Sequence, residues 1–132
     1  MKKLDILLVD DEVEYVTTLS ERLAIRGFDN QVAHDGETAL KIFAENPLDI
    51  LLLDLKMPGI DGMDVLRKIR ESNETLKVFI LTGHGTDKEE EEARQLGVFD
   101  FMRKPVDINV LVEALQTAAE AKEDEIEDVG GG

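Results

Sequence analysis

Five short apolar runs, each ending in polar or charged residues and each followed by a helical pattern, constrain this chain more than any other feature. The runs fall at residues 6–9, 30–33, 49–53, 78–81 and 98–102. Short continuous apolar runs bounded by turn signals read as strands buried on both faces. The second run is the weakest and reads as lying nearer an edge. Between the runs, Val16, Leu19 and Leu23 share one helical face that closes at Arg26-Gly27. Gly36 opens a second helix with Leu40, Phe43 and Ala44 as its stripe, and Asn46-Pro47 stops it. A third spans 63–70 with Leu66 and Ile69 inward. Thr86-Asp87-Lys88-Glu89 has the form of a capping box, so Thr86 is expected as the N-cap of a fourth helix that ends at Gly97. Asp107 caps a fifth, carrying Leu111, Leu115 and Ala118. Strand and helix alternating five times predict an α/β fold, a parallel five-stranded sheet with helices on both faces. No internal repeat or domain boundary interrupts the pattern. Residues 1–122 read as one domain, and 123–132 as an acidic and glycine-rich tail expected to be disordered.

Composition narrows the function. The net charge of −15 argues against nucleic-acid binding, which needs a basic patch. There is no cysteine, which removes disulfides and thiolate metal sites. Nothing resembles a signal peptide, and no apolar run is long enough to span a bilayer. A soluble cytoplasmic protein is the expectation.

In a parallel sheet all strand C-termini share one edge, and ligands bind there. The residues just past the apolar runs are Asp10 and Asp11, then Asp54, then Thr82, then Lys104. Singly, an Asp after a strand is most often a turn residue or cap, and a lone Thr or Lys has an equally plain reading. Four strand ends together carry more weight. Three converging carboxylates repel one another and raise each other's pKa; a divalent cation removes the conflict. Oxygen ligands favour Mg²⁺ or Ca²⁺, and the spacing around Asp61-Gly62 does not make a calcium-binding EF-hand loop. The pattern fits a Mg²⁺ pocket with room for a phosphoryl group, whose outer oxygens Lys104 and Thr82 would meet.

With those residues in order, the chain resembles a response-regulator receiver domain. The resemblance spans about residues 3–122 and rests on Asp10-Asp11, Asp54, Met57-Pro58, Gly62, Thr82-Gly83 and Lys104-Pro105. It implies the flavodoxin-like strand order 2-1-3-4-5. It also implies that Asp54 accepts a phosphoryl group from a sensor histidine kinase or phosphotransfer protein. Asp11, Asp54 and the backbone carbonyl of Lys56 would hold Mg²⁺ directly, and Asp10 through water. Lys104 would pair with the acylphosphate, Thr82 would shift toward it, and Phe101 would turn inward on activation. The Lys104-Pro105 bond is expected to be cis. The fourth helix, fifth strand and fifth helix would form the face that signals to a protein partner or to an effector domain outside this chain; homodimerisation through that face stays open.

Other features belong to this sequence. Lys56 and His84 flank the site at positions that, by the resemblance, control access of water to the acylphosphate; their bulk implies a long-lived phosphoryl state. His34 reads as a surface residue. The fourth helix holds Glu89-Glu90-Glu91-Glu92 with only Ala93 and Leu96 apolar, which reads as a weakly packed, mobile helix with a strongly acidic surface. Two other functions compete. A Mg²⁺-dependent aspartyl-phosphate phosphatase wants a second Asp two residues after a nucleophile at the first strand's end, where this chain has Glu12. A flavin or nucleotide module wants phosphate-cradling amides and hydroxyls where this chain has two acids. No turnover of an external substrate is expected.

Overall fold

The computed structural model describes residues 3–131, with side chains described through residue 121. Its elements are β1 (Ile6–Val9), α1 (Val13–Ile25), β2 (Gln31–Ala33), α2 (Gly36–Glu45), β3 (Ile50–Leu53), α3 (Gly62–Ser72), β4 (Lys77–Thr82), α4 (Asp87–Gln95), β5 (Asp100–Arg103) and α5 (Ile108–Gly131). The side chains of the expected tail at 123–132 lie outside the described residues. The strands form one parallel sheet in the order β2-β1-β3-β4-β5. The sheet is therefore the α/β arrangement that the alternation of runs and helices predicts.

Side chains alternate across a strand, and the two halves of the core follow that alternation. Leu7, Val9, Leu51, Leu53, Val78 and Ile80 face α2 and α3, packing with Met63, Val65, Leu66 and Ile69. Ile6, Leu8, Ile50, Leu52, Phe79 and Leu81 face the opposite way, toward Val16, Leu19 and Leu23 of α1 and Leu111, Leu115 and Ala118 of α5. Both faces of the central strands are covered, which is why their sequences are continuous apolar runs rather than alternating ones. Fully burying each such side chain contributes roughly 1.5–3 kcal/mol.

The helix ends obey the expected signals. Thr86 and Glu89 complete the capping box at the start of α4, and Asp107 accepts the Asn109 amide at the start of α5 (2.7 Å). Gly27 and Gly97 follow α1 and α4 with φ of +90° and +74°, the left-handed conformation that glycine adopts without penalty. One stripe differs from expectation. In α2, Gly36 and Ala39 are buried and Ala44 is exposed. The inward direction follows the i, i+3, i+7 row of Gly36, Ala39 and Phe43, which leaves Ala44 at its margin. The backbone at Gly36 comes so close to the next segment that a Cβ would lie 2.8 Å from the Ile60 carbonyl oxygen.

Candidate functional site: a lysine-bridged acidic pocket

Register assembles the pocket. Val9 of β1 is paired with Leu53 of β3, so the next residues, Asp10 and Asp54, emerge side by side. The Asp54 amide donates to the Val9 carbonyl (2.9 Å) and the Asp10 amide to the Ala33 carbonyl (3.1 Å), so both backbones stay in the sheet up to the carboxylates. Thr82 and Arg103 are paired at the ends of β4 and β5, and the Lys104 amide donates to the Thr82 carbonyl (2.9 Å). Asp10 (5 % exposed), Asp54 (4 %) and Thr82 (0 %) are all buried.

Lys104 closes the pocket. Its ammonium donates to Asp10 Oδ2 at 2.6 Å, Glu12 Oε1 at 2.9 Å and Asp54 Oδ2 at 3.4 Å, and it lies 4.4 Å from the centroid of the Tyr15 ring. Burial works against its charge, but hydrogen bonds to Asp10 and Glu12 and the fields of Asp10 and Asp54 outweigh it and raise its pKa. Burial pushes the Asp10 carboxyl above the usual carboxylate range despite the Lys104 bond, and the Asp54 charge adds to the push. The pocket thus holds more negative charge than one ammonium neutralises.

A family model for the response regulator receiver domain matches residues 6–116. The chain belongs to that family. Receiver domains are signalling modules that work with histidine kinases or phosphotransfer proteins and with output domains. This receiver domain is 39 % identical over 111 residues to the transcriptional regulatory protein CpxR of Escherichia coli, covering 84 % of this chain and 47 % of CpxR. It is 36 % identical over 122 residues to the regulatory protein AtoC of E. coli, covering 89 % of this chain and 26 % of AtoC. The chain therefore spans less than half the length of either relative. The crystal structure of a CheY-like receiver domain protein from Methanospirillum hungatei superposes with a TM-score of 0.90 at 22 % identity, covering 94 % of this chain and 99 % of that one, a likeness in fold. Among the described residues no helix is long and apolar enough to cross a membrane.

The acids gathered at the receiver's site include one that the sequence reading did not name as a ligand, Glu12. The three acids whose oxygens lie within 4.8 Å of one another are Asp10, Glu12 and Asp54; Asp11 is half-buried and is not among them. Glu12 enters because Lys104 reaches across to it and because its own amide is fixed on Asp10 Oδ1 (2.9 Å). Receiver domains generally bind Mg²⁺ at an acidic pocket, and this donor set of hard carboxylate oxygens, two of them buried and in excess over the local positive charge, suits such an ion.

Around the pocket, the Lys56 amide approaches Asp54 Oδ1 (3.4 Å). Behind it the chain must turn tightly. The Gly62 amide donates to the Leu55 carbonyl (2.8 Å), and a Cβ at Gly62 would lie 2.2 Å from the Asp54 carbonyl oxygen. Thr82 Oγ1 accepts the His84 amide (3.3 Å). His84 itself is exposed, as is His34. Phe101 is buried, and its ring fills the space that a side chain at 85 would need, since a Cβ on Gly85 would sit 2.7 Å from Phe101 Cζ and 2.9 Å from Thr82 Cγ2. The Lys104–Pro105 bond is cis.

The acidic surface expected of α4 is largely paired. Glu89 takes the Lys56 ammonium at 2.7 Å, Glu92 the Arg67 guanidinium of α3 at 2.7 Å, and Glu90 both Arg94 at 2.9 Å and Arg103 of β5 at 3.1 Å. Hydrogen bonds from Lys56, Arg67 and Arg94 hold the Glu89, Glu92 and Glu90 carboxyls, in that order, below the usual range. Arg70 of α3 donates to the carbonyls of Leu96 (2.7 Å) and Gly97 (3.1 Å) at the helix's other end. The helix does bury little, with Ala93 its one buried residue, but cations from three neighbouring segments hold it. Glu12, Tyr15, Arg67, Arg70 and Arg103 went unmarked in the sequence because each acquires its role only across the fold.

Proposed function

We propose that this receiver accepts a phosphoryl group on Asp54 and uses it to switch the face formed by α4, β5 and α5. Lys104 carries this reading, as one ammonium held between Asp10, Glu12 and Asp54 at the sheet edge. A carboxylate oxygen of Asp54 attacks the phosphorus of a phosphohistidine on a kinase or phosphotransfer protein. The P–O bond forms as the P–N bond breaks, and the leaving imidazole nitrogen keeps the electron pair and takes a proton from solvent. Mg²⁺ would be held by Asp10, Asp11, Asp54 and the Lys56 carbonyl, with Glu12 at hand, and supplies positive charge to the phosphoryl oxygens. Lys104 then exchanges a carboxylate partner for a phosphoryl oxygen. Thr82 donates its hydroxyl to another oxygen, and Phe101, whose ring lies against Gly85 beside Thr82, registers that movement. The switch is a population shift set by how much better the phosphoryl group binds one arrangement than the other. The output is a protein partner, or an effector domain such as a longer regulator carries.

Intact mass after incubation with Mg²⁺ and a small-molecule phosphodonor tests the chemistry. One phosphoryl adduct is expected on the native chain, none on Asp54→Asn, and none after EDTA. An adduct of equal yield on Asp54→Asn would assign the acceptor elsewhere.

A further inference from the structure

Lys56 touches both the acceptor and the output helix. Its amide reaches Asp54 Oδ1 (3.4 Å), while its ammonium bonds Glu89 Oε2 (2.7 Å), 33 residues away on α4. The two oxygens of Glu89 are divided between separate tasks. Oε2 takes Lys56; Oε1 accepts the Thr86 amide (3.0 Å) and the Thr86 hydroxyl (3.1 Å), while Thr86 Oγ1 accepts the Glu89 amide (3.1 Å). One carboxylate therefore joins the acceptor loop to the cap that starts α4. Of the other ties on α4, Arg67 and Arg70 run to its flank and far end and Arg103 of β5 to Glu90 in its first turn, and none involves the pocket's carboxylates.

We propose that Lys56 is a positioning residue that reports the state of Asp54 to α4, its ammonium held by Glu89 before phosphorylation and drawn to the phosphoryl group afterwards. Charge decides the direction. Glu89 offers one negative charge, whereas a phosphoryl group adds about −1.5 to −2 and three strong acceptors. The lysine stem is flexible enough to re-aim from one to the other, and it springs from the residue whose amide already lies on the acceptor carboxylate. Release of Oε2 unties α4 from the acceptor loop and leaves the capping bonds on Oε1 in place. This route is additional to Thr82 and Phe101, and it rests on Asp54 being the acceptor.

The test is amide hydrogen exchange over residues 86–96, with and without Mg²⁺ and phosphodonor, on the full chain and on Glu89→Gln and Lys56→Ala. Glutamine keeps the capping box, which accepts Glu or Gln at that position, and loses the ion pair. Phosphorylation of the native chain is expected to speed exchange in the first turns of α4 about two- to fivefold, the range an exposed ion pair is worth. Both variants should show that faster exchange before phosphorylation and little further change after it. A bridge that is structural only would instead give the variants a constant offset, with the phosphorylation-dependent difference intact. That pattern, with an adduct confirmed by mass, would overturn the role of Lys56 and leave Asp54 as acceptor. Absence of any adduct on the native chain would overturn both.

Discussion

Helices α3 and α4 lie next to each other on the same side of the sheet and are held by opposite means. α3 buries Met63, Val65, Leu66 and Ile69, whereas α4 buries Ala93 and leans on Lys56, Arg67, Arg70 and Arg103. Apolar packing has no preferred charge state, so a new anion at Asp54 does not compete with what holds α3. Ion pairs can be contested by a new anion. The element proposed to signal is thus the helix whose attachment is electrostatic, and its neighbour is held by apolar packing. Elements that move in regulation come from the weakly anchored end of the stability range.

The sharpest challenge to this contrast is Leu66→Ala on α3. Leu66 is completely buried, so its truncation should cost about 2–5 kcal/mol in denaturant unfolding, by the same amount at low and high salt. A salt-dependent loss would mean that charge also holds α3. Next in size is Asp10→Asn, measured with EDTA present. Burial raises the Asp10 carboxyl, so its ionised form costs stability in the fold. Asparagine should therefore stabilise the chain at neutral pH by about 0.5–2 kcal/mol, the range of single stabilising changes. The unfolded chain titrates near the ordinary value of 3.8. The gain should be full above the raised native value and vanish as the pH falls below the ordinary one. A gain that persists in acid would assign the effect to packing. The smallest effect belongs to Arg67→Ala. That half-exposed guanidinium bridges Asp64 and Glu92, and its loss should cost about 0.2–1 kcal/mol at low salt and less in high salt. A loss of Leu66 size would place α4 among the rigidly packed elements.

The layering of the fold was legible because the central strands are buried on both faces and so appear as unbroken apolar runs. Leu51, Leu52 and Leu53 are the plainest case. The pocket was legible to the extent that sheet topology alone builds it. Asp10, Asp54 and Lys104 follow strand ends directly and Thr82 ends β4, and a parallel sheet in this order sets them along one edge. What depends on the reach of long side chains was not legible. Glu12 joins the acids because Lys104 extends to it, and Asp11, its neighbour in the chain, does not. Run together in sequence, Glu89, Glu90 and Glu92 suggest an unneutralised surface. Their partners Lys56, Arg67 and Arg103 lie at least 13 residues away, and only the fold sets them opposite. The stripe of α2 was misjudged at Ala44 because a short helix with several small apolar residues admits more than one azimuth.

The two ends of α4 are fastened to different kinds of acceptor. Its first turn is tied through carboxylates, Glu89 to Lys56, whose ammonium a phosphoryl group can draw off, and Glu90 to Arg103, but Arg70 grips the peptide carbonyls of Leu96 and Gly97, which no change at Asp54 contests. A nine-residue helix is about 13 Å long. Loosened at one end, where Arg103 still holds Glu90, it becomes a lever with its fulcrum at Arg70, and a displacement of the first turn fades along the rod toward the fixed end. The travel available to a docking partner is then greatest beside Thr86 and least beside Gly97.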